Sequence, residues 1–335
     1  MVKALNYPAQ AARGLRQWLD EGRQGGVDPR LAADFKACEH LLALLEHPTC
    51  QHFQLPDGGH LFNDKLKGIQ GKPVRLPYPL ISISYHCPMA PGEEETFDGS
   101  KLVHVPRRVA VATEMGRELL SPRHSHVFPG CERICMVMAL FSTAKRPDLW
   151  RPCASVALMP TDKWDGTGYE GETIDPPTFM KEPGGVAFVG KISIMLPGFH
   201  QETIRNYGKD WAARSACYDI GGEGAAVLEL CEALTCSNVK EQVIQRANPR
   251  LNARRAREGH LPFLETKVLT VVVPKQKGAA PHQGGTHASP GFHLCSGHIR
   301  SWPNDPTRNI RIEDYARGDA SKKVIKKTYK VVVSA

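Results

Sequence analysis

The stretch RICMVMALF at residues 133–141 is apolar at every position but its first. It is strand-sized and rich in strand formers, so it reads as one strand of a sheet. Working outward, Leu80 to His86, Leu102 to Thr113, Ala154 to Met159 and Val186 to Leu196 are β-branched or apolar runs of the same kind. Turn-forming segments separate them, among them PMAPG at 88–92 and DPP at 175–177. Together they predict a mostly antiparallel central sheet with long loops.

Helices flank that region. Residues 8–22 place Leu15, Trp18 and Leu19 on one helical face. A second helix is signalled by Asp28 as its cap and Pro29 in its first position. Leu31, Phe35, Cys38, Leu42 and Leu45 then recur at helical spacing, and Pro48 marks the stop. Two further helices are expected at about 201–217 and 222–236, the second carrying Ala225, Leu228, Leu230, Cys231 and Leu234. Beyond them, Leu264 to Val273, Phe292 to Trp302, Ile310 to Tyr315 and Lys327 to Val333 read as strands. The fold class is therefore α+β. It divides into an N-terminal helical region (1–50), an α+β core (51–239) and a basic, β-rich C-terminal region (240–335).

Hydrophobic residues make up 41% and charged residues 23% of the 335, enough to build an apolar core. The net charge of +8 is unevenly spread. From Lys240 onward there are 18 Lys+Arg against 7 Asp+Glu, a net of +11, so the first 239 residues carry −3. A concentrated positive field attracts phosphate chains. No apolar run approaches bilayer-spanning length, and the N-terminus has no continuous apolar segment of secretory type. A cytosolic protein with reduced, buried cysteines is expected, with no membrane partner.

Several motifs fail on inspection. Gly166, Gly168 and Gly171 spell GxGxxG, but the following ETIDPP is a poor helix start for a dinucleotide site. Gly185 to Lys191 resembles a phosphate loop, yet Ile192 stands where Ser or Thr is needed. Cys131 with Cys135, and Cys231 with Cys236, have no second half at zinc spacing and read as buried thiols. No cofactor and no metal site is expected.

Three stretches carry a signal. In NPRLNARRAREG (248–259), Arg250, Arg254, Arg255 and Arg257 are interleaved mostly with small residues. On a short helix Arg250, Arg254 and Arg257 share one face, and guanidinium forks match phosphate oxygens. In HQGGTHASPGFHLCSGHIRSW (282–302), four histidines precede Arg300 and Trp302. Read as one strand from Phe292, it sets His298 and Arg300 on a common face, with His293 on the other. Cation and aromatic side by side would contact phosphate and stack on a base. The same histidines could bind a metal through His282, His287, His293 and His298, or act as acid and base in RNA cleavage through His287 and His298. The leading reading is ordinary hydrogen-bonding histidines that order the loop or contact a ligand. Finally, KKVIKKTYK (322–330) is an edge strand guarded by lysines, or a phosphate track that includes Lys326 and Lys330.

The order LCEALTCSNV (230–239), LNARRAREGHLPF (251–263), GGTHASP (284–290), FHLCSGHIR (292–300) and a Lys-rich close through Tyr329 resembles a family of phage- and prophage-encoded proteins. The C-terminal part is similar to that of the type V-A anti-CRISPRs. That resemblance implies lowering the transcript of the CRISPR nuclease through its nascent chain. It spans mainly residues 230–330, with a weaker echo in VRLPYP at 74–79, and brings no functional residue with it. The resulting expectation is a host-interaction protein acting on an RNA, ribonucleoprotein or nascent polypeptide. The alternatives are a His-dependent RNase and a structural protein with an acidic partner.

Overall fold

The computed structural model describes residues 4–61, 74–88, 96–97, 100–101, 105–116, 128, 131–162, 173–174, 191–271, 291–295, 298–302, 305–312, 315–317 and 319–325. It opens with helices α1 (Tyr7–Gly25) and α2 (Ala32–Leu45), followed by strands β1 (Gln51–Gln54) and β2 (Leu80–His86). A small pair, β3 (Thr96–Phe97) and β4 (Ser100–Lys101), precedes β5 (Arg107–Gly116), β6 (Arg133–Ser142), β7 (Trp150–Pro160), β8 (Thr173–Ile174) and β9 (Lys191–Ile194). Then come α3 (Pro197–Tyr207), α4 (Lys209–Leu234), β10 (Val239–Gln245), α5 (Pro249–Arg257) and β11 (Thr266–Val271). The last strands are β12 (Gly291–Cys295), β13 (His298–Trp302), β14 (Asp305–Ile312), β15 (Tyr315–Arg317) and β16 (Asp319–Ile325).

Nine strands form one sheet in the order β10-β11-β1-β2-β5-β6-β7-β9-β8. The pairs of β1 with β2 and with β11 are parallel, and the others are antiparallel. The α+β class and the mostly antiparallel sheet expected from the sequence are what the chain adopts. The apolar run at 133–141 is explained by cover on both faces. Ile134, Met136, Met138 and Leu140 enter the core beneath α1 and α2. Cys135, Val137 and Ala139 enter the opposite core beneath α4. Val109 and Val111 against Ala110 and Ala112 divide β5 in the same way. Each fully buried Leu, Ile, Val or Met stabilises the layers by roughly 1.5–3 kcal/mol.

The α4 face of the sheet carries four alanines, Ala110, Ala112, Ala139 and Ala157, beside larger residues such as Ile81, Ile83 and Met159. Helix α4 carries small buried residues of its own, Gly221, Gly224, Ala225 and Ala226 among them, and packs against that face. This explains one departure from expectation. Gly221 and Gly222 lie inside a continuous 26-residue helix, and the break falls at Gly208 instead. Gly208 has φ +89°, a conformation that side-chain-bearing residues rarely adopt, and it separates α3 from α4.

At the N-terminal side, Asp28 accepts a hydrogen bond from the Arg30 backbone at 2.9 Å and Pro29 opens a turn, but that turn is a short 3-10 segment (Pro29–Leu31) ahead of α2, which begins at Ala32 without a side-chain cap. Asp34, on α2 and fully buried, accepts from the backbone N–H groups of Gly198 (3.0 Å) and Phe199 (2.8 Å). One helix thus caps the N-terminus of another, where a carboxylate also meets the favourable end of the dipole.

The run 292–302 is not one strand. Among the described residues, β12 pairs with β15 and β16, whereas β13 pairs with β14. His293 and His298 therefore belong to different sheets, and the alternation of faces read through residues 292–302 does not apply across them. The strand expected at 327–333 lies outside the described residues. Among the described residues, no helix is long and apolar enough to cross a membrane.

Candidate functional site

Helix α5 lies on the surface, with none of its residues buried. Asn248 caps it, its Oδ1 accepting from Leu251 N at 3.0 Å, and Pro249 occupies the first turn. Gly259, at φ +72°, lets the chain reverse after Arg257. The returning segment is clamped back onto the helix. Asn252 Nδ2 donates to Phe263 O at 2.9 Å while its Oδ1 accepts from Phe263 N at 2.8 Å. Arg255 Nε donates to Leu261 O at 2.7 Å, and its guanidinium lies 4.0 Å from the centre of the Phe263 ring. From α1, Arg13 Nη2 donates to Gly259 O at 2.9 Å and Asn6 Nδ2 to Pro262 O at 3.1 Å.

These contacts sort the four arginines. Arg255 is half-buried and turned inward onto Phe263. Arg250, Arg254 and Arg257 are exposed on positions that helical geometry stacks along one side. Arg254 meets Glu258 at 3.5 Å with both groups largely in water, a pairing of little energetic weight. Arg257 Nε reaches Ala253 O at 3.4 Å, one turn back on its own helix.

The other residues singled out from the sequence are placed elsewhere. His298, Arg300 and Trp302 are on β13, in register with Ile312, Ile310 and Asp305 of β14. Arg300 is exposed. This hairpin is tied to the end of α4: Asn238 Nδ2 donates to Arg311 O at 2.7 Å, and Asn238 Oδ1 accepts from Arg311 N at 2.8 Å. His293 is on β12, paired with Arg317 and Ile325. His282, His287, Lys326 and Lys330 lie outside the described residues.

Sequence reading missed three polar clusters inside the sheet layers. Glu223 of α4, 1% exposed, accepts from Tyr85 Oη at 3.1 Å and from Arg108 Nη1 at 2.8 Å. Burial would pull the Arg108 guanidinium down, but the Glu223 carboxylate outweighs it and holds Arg108 charged. Near the sheet edge, Lys267 Nζ lies 3.0 Å from Tyr78 Oη and 2.9 Å from Glu241 Oε2, and Tyr78 Oη donates to Glu241. The third cluster joins Cys50, His52 and Ser82. His52 Nδ1 is 2.6 Å from Ser82 Oγ and 4.0 Å from Cys50 Sγ. Burial pushes the Cys50 thiol up to about 12 and His52 down to about 4. At neutral pH both are uncharged, so this pair is not an activated thiolate–imidazolium nucleophile. The nearest sequence signal for these clusters was a charged residue bordering an apolar run, as Arg108 does before VAVA and Glu223 before GAAVLEL.

Among the described residues, no group of three His, Cys, Asp or Glu side chains is arranged to hold a metal ion. Among the described residues, the arginine side of α5 presents three solvent-facing guanidinium groups on a support held by side-chain hydrogen bonds.

No family model matches the chain, and no curated protein matches it. Among solved structures, the crystal structure of AcrVA2 aligns with 95% of this chain and 87% of that chain, at 12% sequence identity and a TM-score of 0.29. A score at that level carries no inference about fold or function.

Proposed function

We propose that this chain is an anti-defence protein of anti-CRISPR-like type, encoded by a phage and working in the host cytosol. It engages an RNA, ribonucleoprotein or nascent-chain target through its basic C-terminal region. The observation that carries the reading is the solvent-facing set Arg250, Arg254 and Arg257 on α5. It lies within a region of net charge +11. The likeness of residues 230–330 to phage-encoded sequences supports host interaction as the setting.

Physically, neighbouring arginines one turn apart sit about 5–6 Å from each other, within one Debye length at physiological salt. They therefore act on a phosphate chain as one field. Neutralising phosphates releases condensed counterions, so affinity should fall steeply as salt rises.

The test is RNA binding by the full chain across a salt series. The full chain is required because β10 and β11 are strands of the central sheet. The log affinity should decline linearly with log salt, and Arg250→Gln/Arg254→Gln/Arg257→Gln should lower that slope by about 2–3. Absent or salt-indifferent binding overturns the proposal. A pull-down from host cells with and without nuclease separates the two kinds of partner. Loss of the captured material on nuclease treatment supports RNA, and its survival points to an acidic protein.

A further inference from the structure

The construction of α5 bears on which form of RNA it would hold. The aromatic ring that the helix folds over is Phe263, and the Arg255 guanidinium covers it at 4.0 Å. Arg255 is itself fixed by its Nε hydrogen bond to Leu261 O. A surface that grips unpaired strands usually combines cations with aromatic faces on which bases stack. Here the ring is already taken by a neighbouring cation, while among the described residues no aromatic ring lies against the three cations that face water.

Rigidity points the same way. The Asn248 cap, the two Asn252 bonds to Phe263 and the Arg13 and Asn6 bonds from α1 fix α5 and its returning segment together. Arg257 is seven positions after Arg250, which places them about 10 Å apart along a straight helix. A flexible strand must give up conformational freedom to follow such a support. A stiff duplex has little to lose. A duplex also presents two phosphate chains per length of axis, so the same three cations meet a denser charge.

We infer that the arginine side of α5 is a sequence-blind contact for the phosphate backbone of double-stranded RNA, in preference to unpaired RNA. The inference rests on the polyanion reading above and narrows it. The contact reads backbone, so base sequence does not enter, and A-form duplexes are commonly recognised through shape and phosphates in this way.

The experiment uses the full chain and three probes: a duplex RNA, a duplex of shuffled sequence, and each separated strand. Binding is followed by fluorescence anisotropy at two salt concentrations. The expected result is that both duplexes bind equally and about 10-fold tighter than either strand. Arg250→Gln/Arg254→Gln/Arg257→Gln should remove most of the duplex affinity, with an unchanged circular dichroism melt confirming that the variant is folded. If the strands bind as well as the duplexes, and do so through the same arginines, the duplex preference is overturned while the polyanion reading stands. If no RNA form binds, or the triple variant binds duplex normally, both fall.

Discussion

Arg108 of β5 donates from Nη1 to Oε1 of Glu223 of α4 at 2.8 Å, across the boundary between sheet and helix. Both groups are almost closed to solvent, with side chains 16% and 2% exposed. The pair is local in space and remote in sequence, so it fixes how α4 lies on β5. A buried ion pair is worth little against an apolar substitute, but either partner alone is costly.

That asymmetry gives the first prediction. Arg108→Met leaves the Glu223 carboxylate buried beside Tyr85 and should cost about 3–5 kcal/mol in urea unfolding. Adding Glu223→Gln, which removes the stranded charge and still accepts from Tyr85, should recover a large part of the loss. A double variant no more stable than Arg108→Met would show that the pair is not coupled.

The cap joining α2 to α3 gives the second. A methyl group at position 198 would stand 2.5 Å from Leu31 Cδ2 and 2.9 Å from both Arg30 O and Asp34 Oδ2. Gly198→Ala should therefore destabilise by about 1–3 kcal/mol through overpacking. Asp34→Ala should cost about 1–2 kcal/mol by leaving two partly buried N–H groups at the start of α3 without their acceptor. Thermal melts of the two variants check this, and a Gly198→Ala protein as stable as the parent would contradict the close approach.

How much of this was legible beforehand follows from where the information resides. The strands at 80–86, 133–142 and 150–160 could be read because their apolar runs are local. β1 could not: QHFQ has no strand signature, and it is held by parallel partners that include Thr266 and Lys267, more than two hundred positions away. The glycines at 221 and 222 suggest a helix break, yet packing against an alanine-lined sheet outweighs their low propensity. The arginine cluster was visible as composition, and the helix assumed for it does form. What the sequence could not reveal was that Arg255 turns inward, because that depends on Phe263 and Leu261 folding back over the helix.

The buried histidine gives a pH prediction. His52 has its pKa lowered to about 4 by burial, against about 6.5 in the unfolded chain. The unfolded state therefore binds the proton more readily. This contribution is fully present above about pH 6.5 and is lost as pH falls toward 4, amounting to about 3 kcal/mol over the whole window. His60 works in the opposite sense: its hydrogen bond to Glu229 raises its pKa, so its contribution is present at low pH and lost as pH rises. Its half-exposed ring makes that contribution the smaller one. Urea unfolding between pH 7 and pH 5 should show stability falling with acid, and His52→Gln should flatten that slope.

The last prediction separates the arginine that builds α5 from those that face outward. Arg255 contributes a hydrogen bond to Leu261 O and a cation–π contact with Phe263. Its loss in Arg255→Ala should cost about 1–2 kcal/mol and speed amide exchange across α5 and the returning segment. Arg250→Ala and Arg257→Ala should each leave stability within about 0.5 kcal/mol of the parent, because those side chains are surrounded by water. Binding should show the reverse order. Each outward arginine removed should lower the salt dependence of RNA affinity by about one unit of slope. Arg255→Ala should keep that slope and weaken affinity only as far as the helix loosens. If Arg255→Ala instead lowers the slope as Arg257→Ala does, with exchange unaltered, then its guanidinium leaves Phe263 to meet phosphate, and the fixed support assigned to α5 is wrong.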